Sequence, residues 1–191
     1  SMEITYSIGE ENSMNKEQIE RCLTAYGEDI YRFCCFLTRS RDLADDLYQE
    51  SFLKAMEVER FVDESVMKNF VIGIAANIWK NTWRKEKRRR KVVSTTEFDA
   101  EYMHEPAFGD TEQNGDPQDT YIREETRQIV IRAVDTLPDR YRIILLMYYS
   151  ADMTTQEIAD QLGMSKGTVT SRLMRARDKV RRNLEDNGYE R

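Results

Sequence analysis

Near the end of the chain, Thr154–Arg182 reads TTQEIADQLGMSKGTVTSRLMRARDKVRR and holds two helix starts in quick succession. Thr154 and Glu157 form a Thr-x-x-Glu capping box, and Ser165 offers a second N-cap directly after Gly163 and Met164. Gly163 stands where the first helix must end and the chain reverse, a position that favours a residue tolerant of positive φ. The spacing predicts a helix-turn-helix. In its second helix Val169, Leu173, Ala176 and Val180 recur on one side, while Thr168, Ser171, Arg172, Arg175 and Arg182 fall largely on the other. From Ser165 to Arg182 seven basic residues face Asp178 alone, the kind of stripe that phosphate contacts need. A charged face on a bundle helix is ordinary by itself. Here the capping box, the turn glycine, the small Ala159 and a basic helix carrying Ser, Thr and Arg point together to a DNA groove.

The net charge of −6 conflicts with that reading until the charges are located. Lys80–Lys91 carries eight basic residues against Glu86, and Glu97–Asp119 carries eight acidic residues with no Lys or Arg. The acidic stretch also holds Pro106, Gly109, Gly115 and Pro117, and a structureless loop of that length inside one compact domain is unusual. A chain of 191 residues has room for two small domains. The expected architecture is all-α: a helical domain over 15–92, a flexible acidic linker over 93–118, and a helix-turn-helix domain over 119–186. An anionic tether between two cationic patches is also placed to shield them. A flexible chain of some 25 residues spans only about 25–30 Å on average.

In the first domain Ile19, Leu23, Tyr26, Ile30, Phe33 and Leu37 predict a helical core stripe, which Gly27 is placed to break or bend. A second helix is expected over Arg41–Glu57. Its Asp42, Asp45 and Asp46 suit the dipole of the first turns, yet Asp45, Asp46, Gln49, Glu50 and Leu53 also form a polar face with an apolar member, as a docking surface would. The residues alone leave both readings open. A third helix, from Asn69 to about Lys91, opens apolar all round and turns basic. Trp79 reads as core; Trp83, among Lys80, Arg84 and Lys87, suits either anchoring or stacking on an unpaired base. Later helices are expected over Thr120–Thr136, packing through Ile122, Ile129, Val130, Ala133, Val134 and Leu137, and from Pro138, which suits a first turn.

His104 is the only histidine, Cys22, Cys34 and Cys35 lack metal-ligand spacing, and there is no glycine-rich phosphate loop. Neither a catalytic residue set, a metal site nor a cofactor is expected, and the three cysteines read as buried apolar residues. No apolar run is long enough to cross a bilayer and no signal-peptide pattern is seen. Ser1 before Met2 resembles a cloning remnant, and the cytoplasm is the expected location.

Taken as a set, LPDRYRIILLMYY followed by TTQEIADQLGMSKGTVTSRLMRARDKV, with DLADDLYQESFLKA and NFVIGIAANIWKNTWRKEKRRR before the linker, resembles the sigma factors of bacterial RNA polymerase. The absence of a middle domain points to the extracytoplasmic-function (ECF) group. The resemblance implies a promoter-specificity factor whose partners are core RNA polymerase, through its clamp coiled coil and flap, promoter DNA, and an anti-sigma factor. It implies that Asp45, Asp46, Gln49, Glu50 and Leu53 grip the clamp coiled coil. The loop Glu59–Lys68 with Asn77, Lys80, Trp83, Arg84, Lys87 and Arg88 would capture the minus-ten element, and Lys166, Thr168, Ser171, Arg172 and Arg175 would read the minus-thirty-five element. In FVIGIAAN, Ala76 stands where the family's signature has arginine, and no tryptophan precedes it. The alternative is a stand-alone helix-turn-helix regulator that binds duplex DNA as a dimer.

Overall fold

The computed structural model describes residues 16–58, 63–92 and 117–189. These form seven α-helices and one 3₁₀ turn: α1 Lys16–Thr38, α2 Arg41–Met56, the turn Glu64–Val66, α3 Met67–Val92, α4 Pro117–Asp135, α5 Asp139–Ser150, α6 Thr155–Leu162 and α7 Lys166–Asp186. The described residues contain no strand, so the fold is all-α as expected. The acidic run as far as Asp116 and positions 59–62 of the loop before α3 lie outside the described residues, as does the region of Ile122's packing.

Helices α1, α2 and α3 pack on one another through Ile30, Phe33, Leu37, Leu47, Val71 and Ile72, all buried. Each such side chain contributes about 1.5–3 kcal/mol relative to exposure. Ser40 caps α2 by accepting the Leu43 N–H at 3.4 Å. One member of the expected α1 stripe is corrected: Leu23 is 39% exposed and Cys22 is buried in its place. A step of three and a step of four from Ile19 satisfy the helical period equally, and packing selects the smaller side chain. Gly27 does not break α1, which runs through it with the Tyr48 hydroxyl 3.0 Å from where a Cβ would lie. Cys22, Cys34 and Cys35 are all buried free thiols, and burial pushes Cys22 up to about 11 and Cys34 up to about 12.

In the second half, α5 is buried from Tyr141 to Met147 and packs against α7, while α4 lies against α7 and α6 closes the helix-turn-helix. Pro138 is the N-cap of α5 (φ −56°, ψ 142°), one residue before the first turn expected for it, since its ψ is extended and not helical. Val130, expected to pack, is 42% exposed; its neighbours Ala133 and Leu137 are buried and take that role.

The two halves share one buried cluster, with α1 against α5 and α3 against both α5 and α6. Polar contacts reinforce the junction. Arg142, fully buried, donates from Nη2 to the Leu37 carbonyl at 2.6 Å and to Asp139 Oδ1 at 2.5 Å. Burial, and then Arg39 nearby, bring its pKa down to about 10. Arg39 itself adopts φ 59°, a conformation costing an L-residue about 1–2 kcal/mol, and donates from Nη1 to the Asp135 carbonyl at 2.5 Å. Its Nη2 lies 3.6 Å from Asp139 Oδ1.

Candidate nucleic-acid interface

The helix-turn-helix is built as its sequence dictates. The Thr154 side chain accepts from the Glu157 N–H at 3.2 Å, and Glu157 Oε2 accepts from the Thr154 N–H at 2.7 Å, completing the capping box. The Thr154 hydroxyl, donating to Glu157 Oε2 at 2.7 Å, and then the Thr154 N–H hold the Glu157 carboxyl below its usual range. Gly163 takes the left-handed conformation (φ 59°), and the Met164 N–H returns to the Ala159 carbonyl at 2.9 Å. Ser165 then caps α7 by accepting from the Thr168 N–H at 3.2 Å. Val169, Leu173 and Ala176 are buried, and Val180 is partly buried against the same core. On the opposite side Lys166 and Arg175 are exposed, and Thr168, Ser171 and Arg172 are half-buried. Arg172 Nη1 rests 3.4 Å from Met164 Sδ.

On α2, the side chains of Asp45, Asp46, Gln49, Glu50 and Leu53 are all exposed, Leu53 at 57%. Exposed Leu43 and Met56 extend the apolar part of that helix. Asp45 does not stand alone: Tyr31 on α1 donates its hydroxyl to Asp45 Oδ1 at 2.6 Å, which with burial lifts the phenol to about 12. Nothing in the sequence pattern pairs these two positions, which lie 14 residues apart.

The third set is placed differently. Asn77 Nδ2 donates to the Gln161 carbonyl at 2.7 Å, and Lys80 Nζ donates to the Leu162 carbonyl at 2.7 Å. Those are terminal carbonyls of α6, left without partners inside their own helix and carrying the negative end of its dipole. Gly73, one turn before Asn77, permits the approach: a Cβ there would lie 2.2 Å from Gln161 Oε1 and 2.6 Å from its Cδ. Burial, then neighbouring Arg84, pushes Lys80 below the usual lysine range. Trp83 is half-buried, Arg84 and Arg88 are exposed, and the side chain of Lys87 lies outside the described residues. Trp79 packs partly buried against the core, as expected. Gly73, Gln161 and Leu162 were not singled out by sequence. The available signal was a glycine inside an otherwise apolar helix, where it costs about 1 kcal/mol relative to alanine unless a close contact requires it.

Among the described residues no group of three or more His, Cys, Asp or Glu is arranged to hold a metal, and no helix is long and apolar enough to cross a membrane. Beside α7, an apolar groove of about 1170 Å³ lies between α4, α5 and α7, with Val130, Tyr149 and Tyr189 exposed along it.

Two protein families match the chain: Sigma-70 region 2 over residues 22–89 and Sigma-70 region 4 over residues 127–180. The chain is 30% identical over 136 residues to the ECF RNA polymerase sigma-E factor of Salmonella typhimurium (strain LT2), covering 71% of this chain and 70% of that protein. It is 26% identical over 163 residues to the ECF RNA polymerase sigma factor SigM of Bacillus subtilis (strain 168), covering 85% and 93%. Among solved structures, the sigma factor RpoE in complex with the anti-sigma factor NepR from Bartonella quintana shares the fold with a TM-score of 0.63 at 19% identity, over 88% of this chain and 98% of that one. CnrH in complex with the cytosolic domain of CnrY gives a TM-score of 0.58 at 16% identity, over 91% and 92%.

Proposed function

The chain belongs to the ECF sigma factors of RNA polymerase, and from that premise we propose how its residues divide the work of promoter-specific initiation. The observation that carries the division is the segregation of exposed chemistry: an acidic and apolar face on α2, and a cationic face on α7, on opposite members of the fold.

Asp45, Asp46, Gln49, Glu50 and Leu53 dock on the polymerase clamp coiled coil. Leu53 is the apolar anchor and the carboxylates supply orientation, with Tyr31 fixing Asp45. Lys166, Thr168, Ser171, Arg172 and Arg175 read the minus-thirty-five element in the major groove, where an arginine bridges the acceptors of guanine. Asn77, Lys80, Trp83, Arg84, Lys87 and Arg88 take the minus-ten strand once α6 has left α3. The apolar groove between α4, α5 and α7 receives the polymerase flap. The segments 15–92 and 119–186 act as separate domains in that open state, with 93–118 between them. The factor performs no catalysis itself and works in the cytoplasm, where the polymerase is. Because two solved relatives are complexes with an anti-sigma factor or a cytosolic partner domain, a protein of the anti-sigma kind is the expected inhibitor. A stand-alone regulator would leave the region 2 match without a purpose.

The test is reconstitution: core polymerase plus this chain on a cognate promoter gives a discrete start, and the Leu53→Asp variant loses core binding about 30-fold or more, as expected for an anchor side chain. A wild-type chain with no affinity for core polymerase would overturn the reading.

A further inference from the structure

Where α3 meets α5 and α7, the junction encloses a half-open cleft of about 180 Å³, more than ten times the roughly 10–15 Å³ that admits one water. Its walls carry Lys80 and Arg84 from the first half and Arg140 and Arg172 from the second, with Trp79 and Trp83 beside them. One carboxylate, Asp139, also lines it, but Asp139 Oδ1 is engaged by Arg142 at 2.5 Å and by Arg39 at 3.6 Å. None of the four lining cations is within ion-pair distance of a carboxylate among the described residues. The Trp79 Nε1–H is buried without an acceptor.

Closing the two halves therefore brings half-buried Lys80 and Arg172 together with exposed Arg84 and Arg140 around one cleft, and like charges repel more strongly where water is partly excluded. A donor-rich, cation-lined cleft with flat aromatic walls is complementary to an oxyanion that carries more than one negative charge. We propose that this cleft binds a small phosphate-bearing anion, an inorganic polyphosphate or the phosphates of a nucleotide, which bridges the two halves. The consequence for promoter binding rests on the sigma-factor reading; the site itself does not. Bound anion neutralises the facing cations and holds α3 against α5 and α7. Lys80, Arg84 and Arg172 are then withheld from DNA phosphates by the same chemistry that would attract them.

The chain's only tryptophans, Trp79 and Trp83, line the cleft, so intrinsic emission reports occupancy directly. Sodium pyrophosphate is titrated into the purified full chain at ionic strength fixed with chloride, in parallel with orthophosphate, ATP and a short single-stranded oligonucleotide. The expected result is a saturable emission change with one pyrophosphate per chain, and binding about tenfold weaker in Arg140→Ala, a residue outside the proposed DNA contacts. Pyrophosphate and ATP of equal affinity would assign recognition to the phosphates; tighter ATP would assign a base stacked on a tryptophan, and both support the site. Circular dichroism of Arg140→Ala confirms an unchanged helix content. No saturable change, an equal response to chloride, undiminished affinity in Arg140→Ala, or a response to the oligonucleotide alone would overturn the proposal. Since polymerase is absent, failure here leaves the promoter-specificity reading intact.

Discussion

Helices α3 and α7 are both basic and both proposed to contact DNA, yet their donors differ in how far the fold already engages them. On the outer face of α7, Lys166 and Arg175 stand in solvent and Thr168, Ser171 and Arg172 are half-buried, while the caps are satisfied within the helix-turn-helix itself. On α3, Asn77 and Lys80 already donate to carbonyls at the end of α6, as though to a nucleic-acid acceptor. The same donor chemistry serves either partner. A basic helix is thus available or unavailable according to what the rest of the fold lays across it, and composition does not report which.

The largest effect that sharpens this contrast comes from α7. Replacing Arg172 and Arg175 together with alanine lowers affinity of the free chain for a minus-thirty-five duplex by about 10- to 100-fold at fixed salt, measured by fluorescence anisotropy. Lys80→Ala, by contrast, changes binding of the free chain less than about twofold and shows its defect only with polymerase present, flattening the salt slope by about one. Equal defects for the two variants in the free chain would break the distinction between the helices.

Next in size is Gly73→Leu. An alanine there displaces only the flexible end of Gln161, but a branched side chain has to push α6 away while removing a helix-interior glycine. The expected outcome is a larger radius of gyration by X-ray scattering with unchanged helix content, and single-strand binding raised several-fold. An unchanged radius would mean that α6 is not held at this point.

Smaller again is Thr154→Ala, which removes a cap and costs about 1 kcal/mol in urea unfolding. Acid acts on the same box with a definite sign. Glu157 has its folded pKa depressed, so its contribution is present above the ordinary carboxyl value of 4.5 and is lost as pH falls through the lower folded value. In Thr154→Ala the acid sensitivity of the second half is therefore reduced, readable by thermal melts between pH 3 and pH 6.

What the sequence disclosed follows from locality. The capping box, the turn at Gly163 and the buried side of α7 depend on residues within a few positions of one another, and each was legible before any coordinates. So was the exposed face of α2. Cys22 in place of Leu23 was not, because helical periodicity admits both and only the partner helices decide. The junction was less legible still: Arg39 with Asp135, Arg142 with Leu37, and Lys80 with Leu162 join positions 82 to 105 residues apart, through backbone carbonyls that every residue possesses. Such contacts leave no side-chain signature at the accepting position.

The thiols of the first half give its core a clock. Cys22, Cys34 and Cys35 are sealed, and burial keeps Cys22 and Cys34 protonated far above neutrality, so an alkylating reagent meets no thiolate until the helices part. The pace of alkylation would then count openings of α1 against its neighbours, residue-sized events timed by chemistry the native chain already carries.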